Sequence, residues 1–211
     1  MNPALHIVRV PDEPSERVLR ACASFGIVVE QGPRADAHHH PLRSLLALEP
    51  GRVALITGPS GSGKSTLLAS LHRALRAQGS PAAHASINHA PSRSAILDLI
   101  PGSAHAAARL LASLGLAEPA LWPLRPEHLS VGERARFALA SACASLPRAA
   151  WLLADEFTSS LDGVTARSVS RGLARLAAAR DLRVVCASTR PARALHADLV
   201  VELHLPGSNR A

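Results

Sequence analysis

The stretch GPSGSGKS, residues 58–65, decides the fold class of this chain. It matches the pattern G-x-x-x-x-G-K-S/T in full, and it lies between an apolar run, RVALITG (52–58), and a segment with leucines at helical spacing. A glycine-rich loop in this context turns backbone N–H groups inward around an anion, and the following helix adds the positive end of its dipole. The stretch therefore predicts a site for the phosphates of a nucleoside triphosphate.

Lys64 is the only lysine in a chain with 23 lysine and arginine residues. Because arginine serves everywhere else, a lysine here indicates a need for a compact ammonium on a flexible stem, between the β- and γ-phosphates. Ser65 is predicted to ligate Mg²⁺ through its hydroxyl. The residues predicted to bind the nucleotide in this loop are Gly58, Pro59, Ser60, Gly61, Ser62, Gly63, Lys64, Ser65 and Thr66.

The composition is that of a globular protein. The chain has 211 residues, of which 47% are hydrophobic, and this suits one domain with a real core. A net charge of +7 admits a nucleic-acid partner, but scattered surface arginine is the favoured explanation. Cys22, Cys143 and Cys186 follow no metal or redox spacing and are predicted to be reduced core residues.

The sequence also bears on location. No apolar run approaches the roughly 18 residues that a membrane span needs. The N-terminus MNPALHIVRVPDEPSER has no apolar signal region and carries acids and prolines early. We therefore predict a cytoplasmic protein, which would be a peripheral subunit at the inner face if it serves a membrane.

Strand and helix patterns alternate along the chain and predict an α/β fold with a mostly parallel sheet. The segments predicted as its strands are RVALITG (52–58), AAWLLADE (149–156), LRVVCAS (182–188) and DLVVEL (198–203). The segments predicted as helices are one from the phosphate loop to Gly79, AHAAARLLASLGL (104–116), GERARFALASACASL (132–146) and VTARSVSRGLARLAAARD (164–181). In the first helix, Leu67, Leu68, Leu71 and Leu75 are predicted to lie on the buried face. In the third helix, Phe137, Ala140 and Leu146 are predicted to be buried.

Two regions are harder to interpret. At the N-terminus, ALHIVRV (4–10) suggests a strand, and SERVLRACASFGIVVEQ (15–31) a helix or a helix followed by a strand. Residues 32–41 are predicted to be a solvated loop rather than a metal site, although they contain His38, His39 and His40. Residues 80–103 are rich in proline, serine and histidine and carry the weakest signal.

Asp155 and Glu156 stand at the end of an apolar strand. Such a pair can simply cap the next helix, but with a phosphate loop upstream a functional interpretation is favoured. Asp155 is then predicted to hold the Mg²⁺ shell, and Glu156 to orient or deprotonate the attacking water.

Leu129, Ser130, Gly132 and Glu133 resemble the signature motif L-S-G-G-Q of ATP-binding cassette (ABC) proteins. Ser130 and Glu133 also form a potential capping box, which is compatible with that resemblance. The order of motifs matches the family: phosphate loop, signature, acidic strand end 25 residues after Ser130, then SSLD (159–162), which resembles the D-loop. The resemblance covers roughly residues 42–203.

The resemblance implies an ABC-type P-loop ATPase that binds Mg²⁺ and ATP and works as a homodimer or as a heterodimer with another ABC subunit. Ser130 and Gly132 would contact the γ-phosphate bound on the opposite subunit, and Asp162 would link the two sites. It also implies domain bounds: residues 1–41 as an N-terminal segment able to complete the sheet, and residues 42–211 as the ABC-type ATP-binding domain. Residues 80–146 would form a shortened helical subdomain.

Within the family, the chain resembles a soluble branch known fused to acetyltransferase-like domains. The features that carry this are Phe157, where transporters usually have proline, the segment DLI (98–100) and the tail ARALHADLVVEL (192–203). This chain has no room for an acetyltransferase domain, so such a domain would be a separate partner.

The chain departs from the family pattern in ways that predict slow hydrolysis. Val131 replaces a glycine of the signature, and Glu133 replaces its glutamine, the milder change. The switch histidine is replaced by Thr189, a predicted catalytic residue, or by Arg190 if the register slips by one.

The chain also differs from the family at the coupling glutamine, in the interval between two motifs and at the aromatic residue that stacks on adenine. Asn88 and His89 lie where a coupling glutamine is expected, and Gln78 comes too early. The interval from Lys64 to Ser130, 66 residues, is short for a transporter cassette. Phe25 is the N-terminal candidate for stacking on adenine, but a plain core role is at least as well supported.

These observations leave three hypotheses. The first is an ATPase dimer whose closure performs mechanical work on an unknown client. The second is the ATP-binding subunit of an ABC membrane transporter with a permease partner. The third is a weakly hydrolysing, nucleotide-gated module that binds nucleic acid, which is not favoured. The sequence alone favours the first.

Overall fold

The computed structural model describes residues 6–10, 13–24, 27–31, 39–85, 92–156, 161–189 and 196–204. The chain divides into two units, Met1–His40 with Pro206–Ala211, and Pro41–Leu205. Among the described residues, no helix is both long enough and apolar enough to cross a membrane.

The first unit is a β-α-β arrangement. Strand β1, His6–Val10, is followed by helix α1, Glu16–Ser24, and by strand β2, Ile27–Gln31. The two strands pair in parallel, with His6 opposite Ile27 and Val10 opposite Gln31. The strand and helix–strand patterns predicted at the N-terminus are therefore confirmed. The prediction that Cys22 is a core residue is wrong, because it is only partly buried on α1, a helix with no fully buried residue.

Helix α2, His39–Leu46, corrects the prediction of a loop over residues 32–41. His39 and His40 begin this helix rather than lying in a loop. Pro41 is tolerated there because the first turn of a helix has no use for its missing N–H. Leu45 is fully buried, and this burial holds the helix on the core. Residues 32–38, with His38, lie outside the described residues.

The second unit continues with a sheet and its covering helices. Its elements are β3 Val53–Thr57, α3 Lys64–Ala77, β4 Ala82–Ala85, α4 Ala104–Ser113, 3-10 turns Pro119–Leu121 and Pro126–His128, α5 Val131–Ser145, β5 Trp151–Ala154, α6 Gly163–Arg180, β6 Arg183–Ser188 and β7 Leu199–Glu202. The five strands run in the order β4-β5-β6-β3-β7, and every pair is parallel. The predicted α/β fold with a parallel sheet is confirmed.

Strand β4, like helix α2, is an element that the sequence did not predict. Its four residues, AAHA, are partly or fully exposed and form no apolar run. Ala82–Ala85 form a strand because they pair with Trp151–Ala154 of β5. This pairing stabilises an extended conformation that the residues of β4 do not favour by themselves.

The sheet is covered on both faces, as parallel sheets are. Alternate residues of β3 divide between two clusters: Val53 and Leu55 face one, and Ala54 and Ile56 face the other. The first cluster includes Leu111 of α4, Phe137 of α5 and Val169 of α6. The second is filled by the four predicted leucines of α3, all buried. The sheet therefore holds α3 on one face and α4, α5 and α6 on the other.

Two cysteines lie in this core as predicted. Cys143 and Cys186 are free and buried. Burial raises the pKa of Cys143 to about 12 and raises the pKa of Cys186 as well, so both thiols stay protonated and unreactive at neutral pH.

Candidate nucleotide-binding site

The phosphate loop begins at the carboxyl end of β3, which is buried along its whole length. Gly58 has φ 151°, and a Cβ there would lie 2.3 Å from the carbonyl oxygen of Leu203. Gly63 has φ 93° and is the N-cap of α3, with no side chain capping the helix. The first N–H groups of α3 are therefore left available to an anion, because the loop places no side chain over them.

Gly61 shows where the loop has space. It has φ 80°, and a Cβ built on it would meet no atom within 4 Å. Pro59, Ser60, Ser65 and Thr66 are exposed around the same loop. The loop is thus open on the side where a triphosphate would enter.

Lys64 is buried in the loop, with 5% of its side chain exposed. Its Nζ donates hydrogen bonds to the carbonyl oxygens of Gly58, at 3.0 Å, and Pro59, at 2.9 Å. The same atom lies 3.8 Å from Oε1 of Glu156. The fold therefore brings together two of the three residues predicted as catalytic from the sequence, Lys64 from the loop and Glu156 from the acidic strand end.

Two buried polar atoms near these motifs have no hydrogen-bond partner, Oγ of Ser62 and Oδ1 of Asp155. Leaving a buried polar atom unpaired costs on the order of 1–3 kcal/mol, and a bound ion or polar ligand would remove that cost. The unpaired Oδ1 of Asp155, after β5, and the hydroxyl of Ser65, in the first turn of α3, are hard oxygen donors of the kind that Mg²⁺ prefers. The residues present therefore fit a nucleotide bound with Mg²⁺.

Glu156 adopts an unusual backbone conformation, with φ 47°. Positive φ is uncommon for a residue other than glycine and often marks a functional site.

Thr189 follows directly on β6, which lies between β3 and β5 in the sheet. Thr57 of β3 pairs with Ser188, and Ala154 of β5 pairs with Cys186. Because the strands are parallel, their carboxyl ends lie at the same edge of the sheet. The phosphate loop after β3, Thr189 after β6, and Asp155 and Glu156 after β5 therefore all lie at this edge. Thr189 is exposed at this edge.

Ser130 caps α5 in a complete capping box with Glu133. The Ser130 hydroxyl donates to Oε2 of Glu133 at 2.7 Å and accepts from the Glu133 backbone N–H at 3.3 Å. The Ser130 N–H also donates to Oε2, at 2.8 Å. Hydrogen bonds from Ser130 lower the pKa of Glu133. The sequence treated the glutamate as a mild change, whereas the structure shows that it binds the signature serine.

Asp162 caps α6. Its Oδ1 accepts from the backbone N–H groups of Val164, at 2.8 Å, and Thr165, at 2.9 Å. Hydrogen bonds from the side chain and backbone of Thr165 lower the pKa of Asp162 to about 2. The carboxylate is therefore charged at any physiological pH, and its position at the start of α6 is held by the cap.

Val131 is 61% exposed and Val164 is 69% exposed, each near the start of its helix. Gly132, partly buried, follows Val131 in the first turn of α5.

Several residues that were singled out from the sequence lie outside the described part of the chain. They are Phe25, Asn88, His89, Phe157, Ser159, Ser160 and Arg190.

A parallel sheet in which an interior strand, β3, enters a glycine-rich loop around a buried lysine, opposite an acid pair, defines the class of P-loop nucleoside triphosphatases. The sequence model of the ABC transporter family matches residues 43–159, more than half of the chain. The chain belongs to the ABC transporter family, and it is an ATP hydrolase of the ABC type that uses ATP with Mg²⁺.

Curated relatives and solved structures agree with this assignment. The chain is 31% identical to the lipoprotein-releasing system ATP-binding protein LolD of Novosphingobium aromaticivorans, in an alignment that covers 75% of this chain and 85% of that protein. It is also 31% identical to LolD 1 of Rhodospirillum rubrum, over 75% of this chain and 84% of that protein.

Among solved structures, the ATP-binding cassette MJ0796, a dimer in a post-hydrolysis state with ADP and Pi, superposes with a TM-score of 0.57 at 22% identity, over 74% of this chain and 82% of that one. A bacterial Atm1-family ABC exporter with ATP bound has a TM-score of 0.58 at 21% identity, over 75% of this chain and 33% of that one. At these identities the structures show that the fold is shared. None of these names mentions an acetyltransferase, so that part of the resemblance stays a prediction.

Proposed function

We propose that the chain is the ATP-binding subunit of an ABC membrane transporter and that it acts as one half of a head-to-tail dimer. Two LolD proteins, named as ATP-binding parts of a lipoprotein-releasing system, align with three quarters of the chain. Because of this similarity, we favour the transporter hypothesis over the hypothesis that the sequence alone favoured, an ATPase dimer whose closure performs mechanical work on a client. The location that follows is the inner face of a membrane, as a peripheral subunit.

The ATPase chemistry rests on one observation, the buried Lys64 held 3.8 Å from Glu156. We infer that Lys64 exchanges its bonds to the Gly58 and Pro59 carbonyl oxygens for phosphate oxygens when ATP binds. The N–H groups of residues 58–66, except Pro59, which has none, then surround the phosphates, and the start of α3 adds its dipole.

Ser65 and Asp155 are the residues that would hold Mg²⁺, which supplies positive charge to the phosphate oxygens during hydrolysis. Glu156 then orients the attacking water and accepts its proton. Thr189, at the same sheet edge, offers one hydroxyl hydrogen bond to the γ-phosphate in place of a histidine. A single neutral donor stabilises developing negative charge less than a cation does, and slow hydrolysis follows.

The second half of the site comes from another subunit. Ser130 and Gly132, at the start of α5, would contact the γ-phosphate across the dimer, and Asp162 would link the two sites. Ser130 and Asp162 are exposed, which leaves them available to a partner. The partner is a second copy or a related ABC subunit.

The transporter role is tested by capturing the membrane partner. A tagged Glu156→Gln chain, which should bind ATP without hydrolysing it, is expressed in its own host and purified from detergent-solubilised membranes with ATP present. We expect an integral membrane protein to co-purify in a fixed ratio, identified by mass spectrometry. Lys64→Ala is the control and should lose the partner wherever assembly depends on ATP.

Recovery of a soluble client and no membrane protein would contradict the transporter role and favour the mechanical ATPase. One observation keeps that candidate open. The region between β4 and α5 is short, and in its described part, residues 92–130, α4 is the one α-helix. A Glu156→Gln chain that hydrolyses ATP at the wild-type rate would contradict the role of Glu156.

A further inference from the structure

The Ser130–Glu133 pair has a property that the family pattern does not require. A serine hydroxyl has one proton, and in this structure the Ser130 proton is directed to Oε2 of Glu133, 2.7 Å away. That proton is the one a signature serine would donate to a phosphate oxygen. In the resting subunit, Ser130 is therefore already engaged by a carboxylate of its own helix.

Glu133 is also charged at neutral pH. Its pKa is lowered by hydrogen bonds from the Ser130 side chain and backbone, and more weakly by the charge of Arg136 one turn further on. The neighbouring Arg134 directs its guanidinium to the backbone oxygen of Leu129, at 3.0 Å. In the part of the chain that the structure describes, Glu133 forms no ion pair that would neutralise it.

In the proposed head-to-tail dimer, this charge would lie where the nucleotide of the second subunit docks. The start of α5 would attract a phosphate through its dipole and free N–H groups, but the carboxylate of Glu133 satisfies the Ser130 N–H first, at 2.8 Å. Bringing a phosphate there places two negative groups near one another, which is unfavourable.

We propose that Glu133 is a built-in brake on closure of the ATP dimer: it holds the Ser130 hydroxyl and repels the γ-phosphate that a second subunit presents. The proposal rests on the proposed head-to-tail dimer. Glu133 is a positioning residue, since it acts through Ser130 and through its charge. The partner it acts against is a second ATP-loaded copy of this chain.

Glutamine is the informative replacement. Its amide oxygen can accept the same two hydrogen bonds from Ser130, so Glu133→Gln keeps the cap and removes only the charge. Glu127→Gln is the matched control, because Glu127 is a nearby acid, 43% exposed, whose contact with Arg125 is a loose 4.0 Å. Both variants change the net charge equally.

The experiment measures dimerisation with Mg²⁺ and ATP by analytical ultracentrifugation, in the Glu156→Gln background so that ATP persists. At about 50 mM salt we expect Glu133→Gln to tighten the dimer roughly tenfold or more, since each dimer contains two such sites. At about 500 mM salt the gain should shrink, because the repulsion is screened. Glu127→Gln should match the parent at both salts.

The Ser130→Ala background separates the two parts of the brake. There, Glu133→Gln should give a smaller gain, because no hydroxyl remains to be released. A gain of the same size with and without Ser130 and at both salts would overturn the proposal, since it would reflect general stabilisation of the helix.

A Glu133→Gln dimer no tighter than the parent would also overturn it. Titration of each monomer with a fluorescent ATP analogue distinguishes this failure from failure of the proposed function. If the parent binds ATP but the variant does not tighten, the brake alone is wrong. If the parent binds no ATP, the proposed function is wrong, and the proposed role of Glu133, which depends on it, is wrong as well.

Discussion

At the scale of single residues, Lys64 shows how a rare residue type marks a chemical requirement. Its ammonium is buried and bonded to two carbonyl oxygens of the loop, at 3.0 and 2.9 Å. A guanidinium is broader, planar and fixed in geometry, so it cannot take the same position without moving the loop. The chain's general preference for arginine stops at this position for that reason.

We therefore predict that Lys64→Arg, although it keeps the charge, weakens ATP binding about 10- to 100-fold, the size of one lost charge-assisted hydrogen bond. The measurement is a titration with a fluorescent ATP analogue. The reverse exchange, Arg73→Lys at an exposed position of the same helix, is the control and should leave affinity unchanged. Wild-type affinity in Lys64→Arg would show that charge alone is sufficient.

Asp162 gives a prediction about acid. Its folded pKa, about 2, is below its ordinary value of 3.8, so the charged cap stabilises the folded chain above pH 4. That contribution is lost as the pH falls from about 4 to about 2. In Asp162→Asn, which keeps a capping side chain, the free energy of unfolding should lack this component of the acid dependence.

Denaturant titrations at pH 5, 4, 3 and 2 test this. The difference in unfolding free energy between wild type and Asp162→Asn should shrink as the pH falls. A difference that stays constant over this range would mean that the cap does not depend on the charge of Asp162.

At the scale of elements, the contact between α4 and α6 depends on one glycine. A Cβ at Gly172, within α6, would lie 1.9 Å from the carbonyl oxygen of Ser113, at the end of α4. Backbone meets backbone here, so no side chain can move aside. The close approach lets both helices cover the same face of the sheet.

We predict that Gly172→Ala destabilises the fold by about 1–3 kcal/mol or more, as overpacking does. Gly163→Ala, in the same helix, is the matched control: its nearest neighbour would be Nη1 of Arg167, at 3.7 Å, so it should be neutral or slightly stabilising. Urea unfolding of both variants gives the comparison. Equal stability of the two would mean that α4 shifts freely relative to α6.

Elements also show where sequence patterns stop being informative. The strands around the phosphate loop and helices α3 to α6 were predictable, because long apolar runs and leucine spacing are local signals. Strand β4 was not, since its residues become a strand only by pairing with β5. Helix α2 was masked by Pro41 and the histidines before it, although its leucines pack on the core.

At the scale of the whole molecule, the described nucleotide site lies in the unit Pro41–Leu205. We predict that a chain starting at residue 36, ahead of α2, still unfolds cooperatively and binds ATP. If Phe25 stacks on adenine, affinity should fall by no more than about tenfold, the value of one aromatic contact. Thermal unfolding and ATP titration measure both, with Phe25→Ala in the full chain as the comparison.

Loss of cooperative unfolding in the shortened chain would show that residues 1–35 belong to the same domain. An affinity lower than that of Phe25→Ala would show that other residues of the N-terminal segment take part in binding. The domain bounds near residue 41 stay a prediction until then.

The sequence by itself determined the phosphate loop, the order of motifs and membership of the ABC family, since each is carried by residues adjacent in the chain. Only the tertiary structure decided which charges meet: Lys64 with Glu156, and Arg52 with Asp198, whose Nη1 and Oδ1 are 2.9 Å apart. It also showed that Asp155 has a buried oxygen without a partner. Burial and charge separation depend on the order of strands in the sheet, and that order is set by pairing between distant segments, which no local pattern encodes.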